Sequence, residues 1–392
     1  MSRPIEQVVQ EISAYVDGIR DEMLAMLKQL VEIESPTEHP QGVEQVAVIL
    51  QQALQQIGFE ARLVEEPGYG SHVWADYEVE GAPRILMMGH MDTVFPLGTG
   101  WGFSVDESRA YGPGVIDMKS GDLTALFAVK ALKETVGLPV SIRIFYNSEE
   151  EPGSPASRHR IPEVTKDVDW AFVMEPSEPD GRMVSRRKGV GIFKFQVTGR
   201  SAHAGQEPEK GINANLELLH QLLSASRLAD EEVGTTINPG RISGGTKPYV
   251  ISDHAEGWVD VRVNDKEEQQ RIEEAFRRLA DEPIVTGAQV EVSGEFHRPP
   301  LMELDGSAML QDCLRQAGRL MNEELDFGLS GAVSDGNNIA AAGIPVIDGV
   351  GPIGGRLHSR DEYMELESYF ARTKLMAVTL YLLGGNRTWT NS

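Results

Sequence analysis

Four short apolar runs, Arg84 to Met88, Val140 to Tyr146, Trp170 to Met174 and Ile344 to Ile347, constrain this chain more than any other feature. Each has the length of a strand and reads as a near-continuous apolar stretch, so each is expected in a sheet buried on both faces. Such a sheet needs helices to cover it. Ile5 to Ile33 supplies helical spacing, with Val8, Ile12, Val16, Ile19, Met23, Leu27 and Leu30 at three- and four-residue steps. Further helical patterns run from about Gly42 to Ile57, Leu123 to Leu132, Ser307 to Met321 and Leu366 to Leu383. Strands that alternate with helices predict an α/β layer.

Between about Val190 and Gly294 the pattern changes. Phe193, Phe195 and Val197 alternate with Lys194 and Gln196, as in a half-exposed strand. A helix (Ile212 to Ser226), strands near Arg241 to Ser243 and Gly257 to Val263, a helix (Lys266 to Leu279) and a strand (Gln289 to Ser293) follow. That order is βαββαβ, a ferredoxin-like arrangement. With 392 residues the chain has room for two domains. The expected architecture is a discontinuous α/β domain, residues 1–188 and 299–392, with a small domain, residues 189–298, inserted into it.

A net charge of −24 argues against a partner with a phosphate backbone and against an anionic membrane, since both call for a basic surface. No run reaches the 18 or so apolar residues of a membrane span, and Met1 to Asp17 lacks the pattern of a secretion signal. Cys313 is the sole cysteine and sits in a helical pattern, which fits a buried inert thiol and a reducing compartment. A cytoplasmic location is expected.

Chemistry-bearing residues recur where strands end. His90 follows the run Ile85 to Met88, and Asp92, two residues on, is placed to accept the proton of its second ring nitrogen. Alone, such a pair more often forms a structural hydrogen bond than a metal site. Asp117 closes the loop Tyr111-Gly112-Pro113-Gly114-Val115-Ile116, where an acid serves either as a cap or as a bridge between two cations about 3.5 to 4 Å apart. Glu149, Glu150 and Glu151 follow Tyr146, and Glu175 follows Met174. Three consecutive acids commonly form a solvated turn, but at a strand end their repulsion calls for cations or raised pKa values. Adjacent carboxylates can then divide the work, one binding metal and its neighbour accepting a proton from water. His358 follows a loop dense in glycine (Gly349, Gly351, Gly354, Gly355) and adds a second imidazole. Together these are the ligand types that zinc prefers.

Gly89-His90-Met91-Asp92-Thr93, Gly112-Pro113-Gly114 with Asp117 and Lys119, Asn147 to Ser154, Glu175-Pro176 and His358-Ser359, in that order, resemble the M20 metallopeptidase family. The likeness spans about Leu24 to Leu383 and is strongest to the glutamate carboxypeptidase branch, with acetylornithine deacetylase and succinyl-diaminopimelate desuccinylase as more distant relatives. The resemblance implies a zinc-exopeptidase-like catalytic domain and an inserted lid domain that also forms a homodimer. It implies two Zn²⁺ ions, with Co²⁺ or Mn²⁺ as substitutes: Asp117 bridges them, His90 and Glu175 complete one site, and Glu151 and His358 complete the other. By the same likeness Glu150 is the general base and Asp92 supports His90. The likeness also implies that His203, in Gly199 to Gly205, stabilises the oxyanion from the lid. The likeness further implies that Arg298 binds the α-carboxylate of a small acidic peptide or N-acyl amino acid, with Gly355 at the substrate site. The implied reaction is release of a C-terminal amino acid, glutamate favoured; deacylation of an N-acyl amino acid is the alternative. Where relatives carry an asparagine in the lid, this chain has Tyr249-Val250-Ile251-Ser252.

Overall fold

The computed structural model describes residues 3–385. The chain forms two compact units. One runs to Arg186 and resumes over Glu303–Ser330 and from Ser334 onward; the other comprises Arg187–Met302 with Gly331–Val333.

The first unit is built on a six-stranded sheet in the order Glu60–Val64, His72–Tyr77, Ser141–Asn147, Arg84–His90, Trp170–Val173, Val346–Ile347. The four strands at the Val346–Ile347 side are parallel, and the other two are antiparallel. From Ile85 to His90 every residue of the central strand is buried, as its unbroken apolar sequence requires. The chain leaves this strand toward Ser141–Asn147 on one side and later returns at Trp170–Val173 on the other. The carboxyl end of Arg84–His90 is therefore a topological switch point, where open α/β sheets gather their ligands.

The helix Ser120–Thr135 is buried almost all round, from Ser120 to Val129 and again at Ala131 and Leu132. It packs between the sheet and an outer layer that includes Ile5–Gly18 and Leu366–Gly385. Full burial of side chains such as Phe127, Leu126 and Leu380 contributes about 1.5–3 kcal/mol each before the entropy of ordering is charged against it. The helical pattern from Ile5 to Ile33 is two helices, Ile5–Gly18 and Arg20–Val31. Gly18, a poor helix former, precedes the break, and Ile19 turns the chain with φ −115° and ψ 15°.

The second unit has the ferredoxin-like order. Its antiparallel sheet runs Thr236–Gly244, His254–Val263, Gly189–Thr198, Gln289–Arg298. The helices Ala214–Ser226 and Lys266–Asp281 pack on this sheet and on each other. Alternate residues of Gly189–Thr198 and His254–Val263 enter the core, where Phe193 and Phe195 meet the edge of Phe276 at 5.1 Å. Asn213 and Asp265 cap the two helices by accepting the Leu216 and Glu268 N–H groups, each cap worth about 1 kcal/mol. Among the described residues, no helix is long and apolar enough to cross a membrane.

Candidate metal centre

Two groups of donor atoms form in the first unit, His90–Asp117–Glu175 and Asp117–Glu151–His358, the atoms of each lying within 4.8 Å of one another. Asp117 belongs to both. His90 Nε2 lies 3.2 Å from Asp117 Oδ1 and 3.7 Å from Glu175 Oε1. His358 Nε2 lies 3.2 Å from Asp117 Oδ2 and 3.4 Å from Glu151 Oε2. Each oxygen of Asp117 thus faces one imidazole, and each imidazole faces a second carboxylate.

The fold explains this convergence. His90 ends the central strand, Glu151 lies in the turn after Ser141–Asn147, and Glu175 stands just beyond Trp170–Val173. Asp117 and His358 come from loops joined by a small sheet, in which Tyr363–Glu365 pairs with Gly354–Gly355 on one edge and Arg109–Tyr111 on the other. Gly114, at φ +72°, turns the Asp117 loop; a Cβ there would lie 2.6 Å from Thr93 Cγ2. Gly351 lets its loop run beside Glu175, since a Cβ would meet the Met174 and Glu175 carbonyl oxygens at 2.5 and 2.7 Å. His358 itself takes φ +61°, a left-handed conformation that non-glycine residues rarely adopt.

Asp92, fully buried, organises the surroundings. Its Oδ1 accepts the Glu150 N–H at 3.0 Å and lies 3.3 Å from His90 Nδ1, while Oδ2 accepts the Glu151 N–H at 3.2 Å and the Thr37 hydroxyl at 2.6 Å. His90 Nδ1 also lies 3.1 Å from the Asp92 carbonyl, so when the ring is neutral its proton belongs on Nδ1 and the lone pair on Nε2 faces the cluster. Glu362, which the sequence reading passes over, is fully buried and accepts the Ile116 and Asp117 N–H groups at 3.0 and 3.2 Å. Lys119 gives its ammonium to the Leu30 and Ile33 carbonyls, both at 2.9 Å, and closes the loop from the other side.

The three consecutive glutamates have separate environments. Glu149 turns inward and accepts the Ser157 and Ala156 N–H groups; burial pushes its carboxyl up to about 7 against those bonds. Glu151 faces His358. Glu150 belongs to neither donor group, yet its charge is near enough to add to the raised pKa of Glu175, behind burial and the charge of Asp117. Behind this turn His72 is fully buried, with Nδ1 accepting the Ser148 N–H at 3.2 Å; burial holds it down to about 4, against the Glu66 charge.

The cluster's electrostatics call for cations. Burial opposes a charge on His90, but its hydrogen bonds to Asp117 and Asp92 outweigh this and raise it well above an ordinary histidine. His358 rises to about 10 through its bonds to Asp117 and Glu151. Burial would raise Asp117, yet the two imidazoles hold it well below the usual carboxylate range. A site that draws protons onto two imidazoles beside three carboxylates has the donors and the charge to suit two divalent ions.

The remaining site residues expected from the sequence belong to neither of these two groups. His203 lies in the second unit on Ala202–His203, paired with Val250–Ile251, and Tyr249 precedes that partner strand. Its Nδ1 accepts the Gly205 and Gln206 N–H groups, both at 3.1 Å, so the neutral ring carries its proton on Nε2 as a donor. Arg298 is buried at the end of Gln289–Arg298, after a bulge at Phe296. Gly355 is buried in the small sheet that carries His358. Cys313 is buried, and desolvation pushes its thiol up to about 12.

Parallel strands that end beside a cluster of two imidazoles and three carboxylates are the arrangement of a metal-dependent hydrolase. The chain belongs to peptidase family M20/M25/M40, a family of hydrolytic enzymes, whose profile matches residues 86–381. It is 28% identical over 376 residues to Carboxypeptidase G2 of Pseudomonas sp. (strain RS-16), covering 93% of this chain and 90% of that protein. The aminopeptidase PepT of Bacillus cereus shares the fold with a TM-score of 0.77 at 23% identity, over 94% of this chain and 99% of that one. YxeP of Bacillus subtilis, described as a dinuclear metal-binding peptidase of family M20, has a TM-score of 0.70 at 17% identity, over 94% of this chain and 99% of that one.

Proposed function

We propose that this chain is a two-metal amide hydrolase that releases a C-terminal amino acid, glutamate favoured, from a peptide or N-acyl conjugate. His90, Asp117 and Glu175 hold one ion, and Asp117, Glu151 and His358 hold the other. Zinc suits this donor set, and Co²⁺ or Mn²⁺ can replace it. Bound there, the ions supply Lewis acidity to the amide carbonyl and to the attacking water. Glu150 takes the proton of that water and passes it to the leaving nitrogen. Asp92 fixes the His90 tautomer and the backbone of Glu150 and Glu151.

The observation that carries this reading is the division of the glutamate run. Glu149 caps its own turn, Glu151 faces His358, and Glu150 stands outside both donor groups close enough for its charge to act on Glu175. Glu150→Gln removes a proton acceptor and keeps every ligand. Hydrolysis is expected to vanish while two metals per chain remain, and an active variant would overturn the assignment.

In the same reading His203 offers its Nε2–H to the oxyanion, and Arg298 pairs with the α-carboxylate, for which a guanidinium is suited. The likeness to a carboxypeptidase supports C-terminal release. Comparing folate-type conjugates, dipeptides and N-acetyl amino acids tests it; turnover of N-acetyl substrates alone would make the chain a deacylase. A homodimer through the second unit completes the proposal, supported by exposed Leu216, Leu219 and Leu223 along one helix and by the edge strand Thr236–Gly244 with exposed Ile242.

A further inference from the structure

We infer that Asp335 is a positioning residue for the reaction, because its buried carboxylate ties together the two ends of the turn that carries Glu150 and Glu151. Asp335 opens the short helix Asp335–Ala341, far along the chain from that turn, and is almost wholly buried. Its Oδ1 accepts the Ser154 hydroxyl at 2.5 Å, and its Oδ2 accepts the Asn147 side-chain amide. Asn147 ends the strand before the turn, and Ser154 closes the turn. One carboxylate therefore fixes the residues on either side of the six between them.

Both anchors pass the constraint inward. The Asn147 amide, held by Asp335 through its nitrogen, uses its oxygen to accept the Glu149 N–H at 3.1 Å. Ser154 donates its own N–H to the Glu149 carbonyl at 3.1 Å. Ser154 also takes φ +53°, where glycine would be at ease and serine is not. A serine at that angle is explained by the hydroxyl that reaches Asp335. From the other side Asp92 accepts the Glu150 and Glu151 N–H groups. The turn is thus pinned between two buried carboxylates, and a shift of about 1 Å in a proton acceptor can lower turnover a hundredfold.

The helix that begins at Asp335 is fixed in turn. Ser334 and Asn337 form a capping box, and the Ser334 hydroxyl donates to Asp348, which follows the edge strand Val346–Ile347. Asp335 is held by the sheet that carries the ligands, so its geometry is rigid relative to them.

This inference rests on the two-metal reading above. The test compares zinc-loaded parent enzyme with Asp335→Asn, Ser154→Ala and Ser154→Gly, measuring kcat and KM, thermal midpoint, and metal released against a titrated chelator. Ser154→Gly removes the hydroxyl but relieves the backbone, so it separates anchoring from turn shape. Its thermal midpoint is expected at or above that of Ser154→Ala. Its kcat is expected to fall about tenfold with KM within twofold, and one of its two metals to leave at about tenfold lower chelator concentration. Asp335→Asn, which loses the charge that orders both anchors, is expected to fall further on both counts. A Ser154→Gly enzyme with parental kcat and a parental chelator profile overturns the inference, even if Asp335→Asn fails to fold. A parent enzyme that binds no metal pair or cleaves no amide would instead overturn the two-metal reading.

Discussion

Replacing Asp92 with asparagine keeps the volume of a fully buried side chain and changes only what its two outer atoms can do. At present Oδ1 serves the Glu150 N–H at 3.0 Å and faces His90 Nδ1 at 3.3 Å, while Oδ2 serves the Glu151 N–H at 3.2 Å and the Thr37 hydroxyl at 2.6 Å. An asparagine has one acceptor and one donor for these four contacts. With its NH₂ toward His90, it would force the ring proton onto Nε2 and remove His90 as a ligand. With its NH₂ toward Glu151, it keeps the His90 tautomer and the Glu150 bond, and Thr37 can rotate to accept. The second orientation is the better one, and it leaves the Glu151 N–H buried without its acceptor. An orphaned buried donor costs about 1–3 kcal/mol. The variant is expected to lose that much stability, and loss of such a partner typically weakens metal binding at the site it supports by about 10- to 100-fold. Chelator titration of Asp92→Asn, with metal counted by mass spectrometry, reads the loss directly. At saturating zinc, turnover is expected to recover to within about tenfold of the parent. A chelator profile identical to the parent's would refute the placement of Asp92 at the centre of this network.

Two further outcomes follow from the rest of the chain. Below pH 6.5 an unfolded chain protonates His72 while the native chain, held near 4, refuses the proton; stability therefore falls as pH drops from 6.5 toward 4 and levels off below. The full difference is about 3 kcal/mol, and His72→Asn, which keeps an acceptor for Ser148, is expected to remove it in denaturation curves compared at pH 7 and pH 4. Leu219→Glu, at the most exposed of the three leucines, is expected to yield monomer in sedimentation at micromolar concentration with the second unit still folded, and an unchanged mass would refute the proposed dimer face.

The parallel strands were legible because burial on both faces forces continuous apolar runs, as in Arg84–His90 and Trp170–Val173. The antiparallel strands Glu60–Val64 and His72–Tyr77 were not, since they mix Glu60, Arg62, His72 and Asp76 with apolar residues and so resemble loops. Strands of two or three residues, such as Gly354–Gly355 and Arg109–Tyr111, are too short to carry any period, yet they join the Asp117 and His358 loops. The candidate donor residues could be read because metal chemistry restricts such donors to few residue types at strand ends. Glu362 and Asp335 left no comparable mark. Each acts through contacts with residues more than 180 positions away, and an acid in a loop has many duller explanations. The Ser334 and Asn337 capping pattern was the one local signal that a helix begins beside Asp335.

The two donor groups differ in when the ribosome delivers them. His90, Asp117 and Glu175 all precede Arg187, where the second unit begins, whereas His358 follows Met302, where its main segment ends. A growing chain therefore possesses every residue of the buried group before any of the ferredoxin-like unit exists. The other group waits for about half of the polypeptide still to be made. Possession is not assembly, however: Glu362 holds the Asp117 backbone and Tyr363–Glu365 pairs with the strand before its loop, so the C-terminal segment that brings His358 also completes the buried group.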